Sequence, residues 1–261
     1  MLKYLLVLIV NLGLPTSLFA FDQSHALWSQ VLQKYRTEQG LVRYAQLKKD
    51  AKDPKHHLNI YLADLQKPTR KEYEAWSKFE KMAFLINAYN AFTVKLIVDR
   101  YPIDSITDIG GMLWWFNKRP WRLRLFKMLD GKLRRLDSIE NKYLHSKEFA
   151  DYRIHAALNC ASISCPVLRA DAYVEDKLDK QLDDQMRIWM ADKSKNRFDK
   201  KSKTLYVSKV FDWYDDDFDD WGGGIRKVVK KYAPKGAGSA WILKAKIRYL
   251  DYDWSLNGVK E

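Results

Sequence analysis

Residues 78–102 read KFEKMAFLINAYNAFTVKLIVDRYP, and this stretch decides the fold. Apolar side chains occupy most faces of the helix that it predicts. Pro102 ends that helix after Tyr101, because proline cannot continue the backbone hydrogen bonding. A helix that is apolar nearly all round is buried. We therefore predict a buried central helix, with Asn87 and Asn90 on neighbouring parts of one face.

Outside this helix, the hydrophobic period alternates between helical and extended. Helical patterns occupy 21–38, 58–65, 69–77, 137–145, 174–192, 213–221 and 224–233. Extended patterns occupy 122–137 (a hairpin around Asp130-Gly131), 151–158, 197–211 and 245–257. Helices before and between several hairpin strands favour an α+β fold. We expect the central helix to pack on a mostly antiparallel sheet.

The first twenty residues, MLKYLLVLIVNLGLPTSLFA, have the outline of a secretory signal peptide. Their apolar run is short for a bilayer span, which needs about 20 residues. We predict cleavage near Ala20 and an exported protein, in the simplest case a periplasmic one. The alternative is an uncleaved helix that anchors the chain to a membrane.

The chain has 261 residues and a formal net charge of +13, which would suit an anionic partner. Export makes nucleic acid the least expected of these partners. Two stretches, 114–127 and 226–235, combine cations with aromatic residues and would allow weak contact with an anionic membrane surface. Nothing in the composition indicates an oligomeric state.

Residues 155–166, HAALNCASISCP, hold both cysteines of the chain. In an oxidising compartment, an even cysteine count favours a disulfide between Cys160 and Cys165. A second interpretation makes Cys160 a nucleophile, because His155 lies five residues before it and a nearby histidine favours the reactive thiolate. Asn159 would shape the turn that brings the two side chains together.

A third interpretation is metal binding by the two sulfurs and His155, or a redox relay between the two cysteines. No fourth ligand with a recognisable spacing accompanies them, and the spacing between the cysteines differs from that of redox CxxC pairs. The acidic run DDDFDD at 215–220 lacks the ligand spacing of a calcium loop, so we interpret it as a solvated helix face. We therefore expect no metal and no cofactor.

Four segments of the chain resemble, in order, motifs of the domain of unknown function 547 family: LINAYNA at 85–91, HAALNCASISCPVL at 155–168, VSKVFDWYDDDF at 207–218 and LDYDWSLN at 250–257. The resemblance predicts a family domain over residues 70–257, preceded by a helical extension at 21–69.

The resemblance also implies a distant likeness to papain-like and transglutaminase-like hydrolases, in which the nucleophilic cysteine begins the central helix. Here that helix carries asparagines, so a catalytic cysteine must come from the 155–166 loop. Family members often have a histidine directly after the glutamate of the short middle helix. This chain has Glu140 followed by Asn141, so a second histidine is not expected at the site.

These observations predict a cysteine-dependent hydrolase or transferase that acts on amide or thioester bonds of a small molecule or peptide. Cys160 would be the nucleophile and His155 its base. The residues expected to orient groups or bind substrate are Asn87, Asn90, Glu140, Asn159, Ser162 and Ser164. The alternative is a non-catalytic binding module for a small molecule or peptide, in which a disulfide between Cys160 and Cys165 shapes the pocket.

Overall fold

The computed structural model describes residues 21–113, 119–234 and 239–260. The predicted signal peptide at 1–20 lies outside the described residues, as do 114–118 of the first aromatic and basic stretch and 235 of the second. Within the part that is described, no helix is both long enough and apolar enough to span a bilayer.

About half of the described chain is helical. The α-helices are α1 (Ala26–Tyr35), α2 (Tyr44–Asp50), α3 (His57–Asp64), α4 (Arg70–Ala75), α5 (Lys78–Arg100), α6 (Arg119–Arg122), α7 (Ile154–Ala157), α8 (Leu178–Ala191), α9 (Val210–Trp213), α10 (Asp215–Asp220), α11 (Ile225–Tyr232) and α12 (Ser239–Ile242). Two 3-10 helices, Ile106–Leu113 and Glu175–Lys177, and a π-helix, Ser138–Leu144, complete the helical structure of the described residues.

Helix α5 is the buried central helix that the sequence predicts. It begins at a capping box, in which the Ser77 hydroxyl accepts from the Glu80 amide and the Glu80 carboxylate accepts from the Ser77 amide. It ends before Pro102. Every residue from Met82 to Val94 is buried, so this helix forms the centre of the core. A second capping box, between Thr69 and Glu72, starts α4.

The sheet is small, with three strands in the order β1 (Arg197–Asp199), β2 (Thr204–Val207) and β3 (Lys246–Tyr249). Strands β1 and β2 pair antiparallel, whereas β2 and β3 pair parallel. The α+β class is therefore confirmed, but the expectation of a mostly antiparallel sheet is wrong. Strand β3 follows β2 only after helices α9 to α12, and a long helical crossover of this kind allows parallel pairing.

The described residues form two hydrophobic clusters, and the central helix and the sheet belong to different ones. The first cluster gathers α1 to α5 around residues such as Phe84 and Ile97. The second cluster joins strand β2 with the four helices from α8 through α11. Its residues Trp189, Leu205 and Phe211 are fully buried. The expectation that the central helix packs on the sheet is therefore wrong. An apolar helix can be covered by other amphipathic helices as well as by a sheet.

Two local predictions also differ from the structure. Residues 151–158 do not form a strand and instead contain the short helix α7. A short apolar run cannot be assigned to helix or strand by its period alone. The predicted hairpin at 122–137 reduces to one antiparallel bridge, Met128 with Leu133, around a turn in which Asp130 and Gly131 have positive φ.

Candidate active site

A cavity of about 660 Å³ opens between the cysteine loop, the π-helix and the α9 to α10 segment. Its lining includes several polar and titratable residues. The lining residues on which the site depends are Tyr89, Glu140, His145, His155, Cys160, Cys165, Tyr214, Asp217 and Tyr252. Cys160 and His155, the predicted nucleophile and base, thus face one cavity.

Asn90 of α5 holds the base of the cysteine loop. Its Nδ2 donates to the Ala157 carbonyl at 2.9 Å, and its Oδ1 accepts from the Asn159 amide at 2.9 Å. Asn90 is 2% exposed, so both bonds are shielded from water. The carboxamide of Asn90 therefore anchors the loop to the central helix and does not reach the cavity lining.

Asn87 makes the same type of contact with a different segment. Its Nδ2 donates to the Tyr173 carbonyl at 2.7 Å, and its Oδ1 accepts from the Tyr173 amide at 3.0 Å. Asn87 is fully buried. It therefore fixes the chain that follows the cysteine loop, and its contacts support a positioning role.

Asn159 fastens the loop to itself and to the C-terminal segment. Its Nδ2 donates to the Pro166 carbonyl at 2.8 Å, and its Oδ1 accepts from the Ala161 amide at 3.0 Å and from Asn257 Nδ2 at 3.2 Å. These bonds hold Ala161 in a left-handed conformation, with φ of 60°. The side chain of Asn159 thereby closes the turn on which Cys160 is presented.

Both cysteines are free thiols, and their Sγ atoms lie 2.8 Å apart without a bond between them. The disulfide that the cysteine count favours is therefore not formed in this structure, and its formation on oxidation stays a prediction. Cys160 Sγ also contacts Tyr252 Oη at 3.0 Å and Ser162 Oγ at 3.3 Å. The Cys160 amide donates to Cys165 Sγ at 2.9 Å.

The two thiols differ in acidity. Burial opposes ionisation of Cys160, but hydrogen bonds from Cys165, Ser162 and Tyr252 outweigh it and lower the pKa of this thiol below its ordinary value. Burial and the neighbouring Cys160 sulfur raise the pKa of Cys165 well above its ordinary value. Of the two, Cys160 is therefore the thiol that ionises first and the better nucleophile.

The serines of the loop connect it to the DYDW segment. Ser162 is buried and its hydroxyl contacts Tyr252 Oη at 2.8 Å, whereas Ser164 Oγ accepts from the Asp253 amide at 2.8 Å. The loop amides also have partners within the protein, since those of Cys160, Ala161, Ile163 and Ser164 all donate to neighbouring groups. Because these four amides already donate hydrogen bonds within the protein, they are poor candidates for binding an oxyanion.

His155 lies on the short helix α7, and its imidazole points to the carboxylate of α10. His155 Nε2 and Asp217 Oδ2 are 2.8 Å apart, and the ring stacks on Tyr214 with centroids 4.1 Å apart. The hydrogen bonds of Cys160 Sγ go to Cys165, Ser162 and Tyr252, so no direct bond joins this sulfur to His155. A substrate or water in the cavity would have to lie between the thiol and the imidazole.

A second histidine stands beside His155, contrary to the expectation that the sequence raised. His145 follows the π-helix, and its ring centroid is 5.0 Å from that of His155. Burial and the adjacent His155 lower the pKa of His145. The same π-helix presents Glu140, whose Oε1 accepts a 2.5 Å hydrogen bond from Tyr214 Oη. Short π-helical segments are rare and are frequently found at functional sites.

The remaining wall of the cavity is aromatic. Trp213, Tyr252 and Trp254 pack against one another with centroids 4.5 to 5.7 Å apart, and Trp121 meets Trp254 edge-on. Tyr89 accepts a hydrogen bond from Trp121 Nε1 at 3.1 Å, and burial raises the pKa of Tyr89 well above its ordinary value. Tyr89 therefore stays a phenol and can donate its own proton towards the cavity.

Sequence reasoning does not assign a role to His145, Tyr214, Asp217 or Tyr252. The interpretation of 215–220 as a solvated helix face is right for the exposed Asp215, Asp216, Asp219 and Asp220 and wrong for Asp217. The segments WYDDDF and DYDW belong to motifs that resemble the family, and that resemblance is the available signal for three of the four residues. His145 has no such signal.

Residues 73–190 match the family model described as "Protein of unknown function, DUF547". No curated protein and no solved structure matches the chain. The matched region contains the central helix, the π-helix, both histidines of the cavity and the cysteine loop, whereas Tyr214, Asp217 and Tyr252 follow it. On this match, the chain contains a domain of the DUF547 family of proteins of unknown function.

Proposed function

We propose that this protein is a thiol-dependent hydrolase or transferase that acts on an amide or thioester bond of a small molecule or peptide. The observation that carries the proposal is the shared cavity. Its lining includes Cys160, whose sulfur contacts Cys165, Ser162 and Tyr252, and the hydrogen-bonded pair of His155 and Asp217.

Cys160 would act as the nucleophile. Hydrogen bonds to the sulfur favour the thiolate, which attacks the acyl carbon after the thiol proton has passed to solvent. The bond between Cys160 Sγ and the acyl carbon forms, and the bond from that carbon to the leaving group breaks. The product of this step is a thioester on Cys160.

His155 would transfer protons on the substrate side of the cavity. Asp217 holds its imidazole by the 2.8 Å contact, which sets the orientation of the ring. The imidazole would protonate the leaving group and then accept a proton from the water or acceptor that cleaves the thioester. Tyr89, a buried phenol with its proton available, would bind the oxygen of the acyl group while that oxygen carries negative charge.

Acyl transfer from p-nitrophenyl acetate tests this function without knowledge of the natural substrate. The reduced protein is expected to release a burst of nitrophenolate and to carry one acetyl group on Cys160, identified by peptide mass. Cys160→Ala should show neither result. In Cys165→Ala the acetyl group should still be found on Cys160. Acetylation that falls only on lysines, with Cys160→Ala unchanged, would overturn the proposal.

The short distance between the sulfurs supports a second candidate function. At 2.8 Å the two Sγ atoms are closer than non-bonded sulfur atoms ordinarily approach, so oxidation would require little movement of the loop. A disulfide would leave a shaped pocket without a nucleophile, as in the binding module. Intact mass after maleimide labelling, with and without prior reduction, separates the two functions. A permanent disulfide in the exported protein, together with no acylation after reduction, would favour the binding module.

A further inference from the structure

Three side chains of the cavity bring ligand-type atoms to one point. His145, His155 and Asp217 each offer one atom, and these atoms all lie within 4.8 Å of one another. The three residues come from separate elements, namely the end of the π-helix, α7 and α10. Their convergence is therefore a product of the tertiary structure and not of one local sequence motif.

The hydrogen bonding of this cluster is incomplete. His155 Nε2 lies 2.8 Å from Asp217 Oδ2, whereas His145 Nε2 lies 3.7 Å from the same oxygen, too far for a hydrogen bond. His145 Nε2 is shielded from solvent and has no hydrogen-bond partner. Buried polar atoms in folded proteins are nearly always paired, so an unpaired nitrogen here calls for a physical reason.

An unpaired histidine nitrogen does not by itself indicate a ligand, as His25 demonstrates. His25 Nε2 is also buried and without a partner, and its Nδ1 contacts Tyr61 Oη at 2.7 Å. His145 differs because it belongs to a group of three residues close enough to share an ion. Among the described residues, that group consists of His145, His155 and Asp217. The distinguishing feature is that two imidazole nitrogens point to one carboxylate oxygen.

The surrounding charge favours a cation at this place. Glu140, Asp215 and Asp216 line the same cavity, and no lysine or arginine occurs among the described residues that line it. This is notable in a chain that carries 46 lysines and arginines against 33 acidic residues. A positive ion in the cavity would thus lie among carboxylates and would meet no fixed positive charge from the described lining.

We propose that His145, His155 and Asp217 form a binding site for a divalent transition-metal ion, with zinc as the best-fitting ion. Two imidazoles and one carboxylate are a ligand set that zinc accepts, and an open position for water or a substrate atom is typical of non-structural zinc sites. Here the open position would face the cavity. The metal would bond to His145 Nε2, which gains the partner that it otherwise lacks.

Metal binding and the proposed proton transfer make different demands on His155. The metal would take His155 Nε2, the nitrogen that contacts Asp217 in this structure. A bound ion would therefore remove His155 from acid–base work and suppress acyl transfer at Cys160. This consequence rests on the proposed function, whereas the binding site does not depend on it.

Cobalt titration of the metal-free protein tests the site directly, because Co²⁺ substitutes for zinc and is coloured. We expect visible absorbance that saturates at one equivalent of Co²⁺ and is abolished by added Zn²⁺. His145→Gln, His155→Gln and Asp217→Asn should each weaken cobalt binding by more than about 100-fold, because each removes one of only three protein ligands. Glutamine and asparagine retain much of the side-chain volume, and circular dichroism reports whether each variant folds.

Matched controls separate this site from other metal ligands. His57→Gln and Asp219→Asn alter exposed residues outside the cavity lining and should leave the titration unchanged. Cys160→Ser should also leave it unchanged, and the near-ultraviolet charge-transfer band of a cobalt–thiolate bond should be absent. No saturable absorbance, or binding that survives His145→Gln, or a thiolate band that Cys160→Ser removes, would overturn the proposal.

The same samples distinguish failure of the metal site from failure of the proposed function. Cobalt binding in a protein that never acetylates Cys160 would leave the metal site standing and remove the enzyme. Acetylation of Cys160 without cobalt binding would do the opposite. If both occur, saturating Zn²⁺ should reduce nitrophenolate turnover at least about tenfold. Full turnover at saturating Zn²⁺ would show that metal and proton transfer do not compete for His155.

Discussion

The cysteine loop and the histidine cluster line the same cavity, but they differ in how fully their polar groups are paired. In the loop, Asn90, Asn159 and Asn257 satisfy backbone and side-chain groups in a continuous network. In the cluster, only His155 is within hydrogen-bond distance of the Asp217 carboxylate oxygen, and His145 Nε2 is left without a partner.

This difference indicates how the two walls would work. A fully bonded loop holds its sulfur in one place, which suits a nucleophile that must attack from a fixed position. An incompletely bonded cluster can still accept a proton, a ligand or an ion. The nitrogen that is free to bind a further group thus belongs to the histidine cluster and not to the cysteine loop. The predictions below test this contrast, from the largest expected effect to the smallest.

The first prediction concerns proton transfer by the histidine wall. His155→Ala should lower nitrophenolate turnover by about 10³-fold, within the range observed for loss of a general acid–base group. Acetylation of Cys160 should remain detectable, because the donors around the sulfur are unchanged. Stopped-flow kinetics measure both the burst that reports acetylation of Cys160 and the turnover that follows it. His57→Ala is the matched control. Turnover equal to that of the unaltered protein would show that His155 does not transfer protons.

The second prediction concerns the rigidity of the cysteine loop. Asn90→Ala leaves the Ala157 carbonyl and the Asn159 amide buried without a partner, so the free energy of unfolding should fall by about 3 kcal/mol. Urea denaturation followed by circular dichroism measures the loss. Asn59→Ala, which alters a partly exposed asparagine of α3, should cost about 1 kcal/mol or less. Equal losses in the two variants would contradict a special role for the Asn90 network.

The third prediction concerns the pH dependence of stability that arises from His25, a buried histidine outside the cavity. Burial lowers the pKa of His25 to about 3, so this residue is neutral in the folded chain and becomes protonated more readily on unfolding. Its contribution to stability is complete above pH 6.5 and declines as the pH falls from 6.5 towards 3. At pH 5 the loss should be about 2 kcal/mol.

Comparison with His25→Gln isolates that loss, because other histidines also titrate. Between pH 7 and pH 5, the unaltered protein should lose about 2 kcal/mol more than the variant, as measured by urea unfolding at each pH. His57→Gln, which alters an exposed histidine, should follow the unaltered protein. Parallel pH profiles for all three proteins would refute the buried neutral state of His25.

The fourth and smallest prediction concerns the acidity of the thiol. Tyr252→Phe removes one hydrogen-bond partner of Cys160 Sγ and should raise the pKa of that thiol, since a hydrogen bond to a charged group contributes about 1.5 kcal/mol. Alkylation by iodoacetamide below neutral pH should slow about tenfold. Tyr249→Phe, at an exposed position, is the control. An unchanged or lower pKa would show that Tyr252 does not stabilise the thiolate.

The sequence predicts the elements whose signals are local. The capping boxes at Thr69 and Ser77, the continuous apolar surface of 78–100 and the stop at Pro102 all act within a few residues, so the central helix can be assigned from its own residues. The strand predicted at 151–158 is wrong because a short apolar run fits either a buried strand or a buried helix. Only tertiary contacts resolve that ambiguity.

The composition of the site is predicted unevenly for the same reason. Cys160 and His155 are five residues apart, and their residue types and spacing are enough to suggest a common site. Cys160 contacts Tyr252 and His155 contacts Asp217, which lie 92 and 62 positions further along the chain. The local hydrophobic period cannot predict contacts between residues so far apart in sequence.

By itself, the sequence determined the class of the fold, the central helix with its two asparagines, the cysteine loop and the likeness to the DUF547 family. The tertiary structure alone decided which groups surround the sulfur, that His155 pairs with Asp217, and that His145 joins them. Local hydrogen bonding and hydrophobic period are encoded over a few residues, whereas a cavity is formed by segments that meet only when the whole core packs.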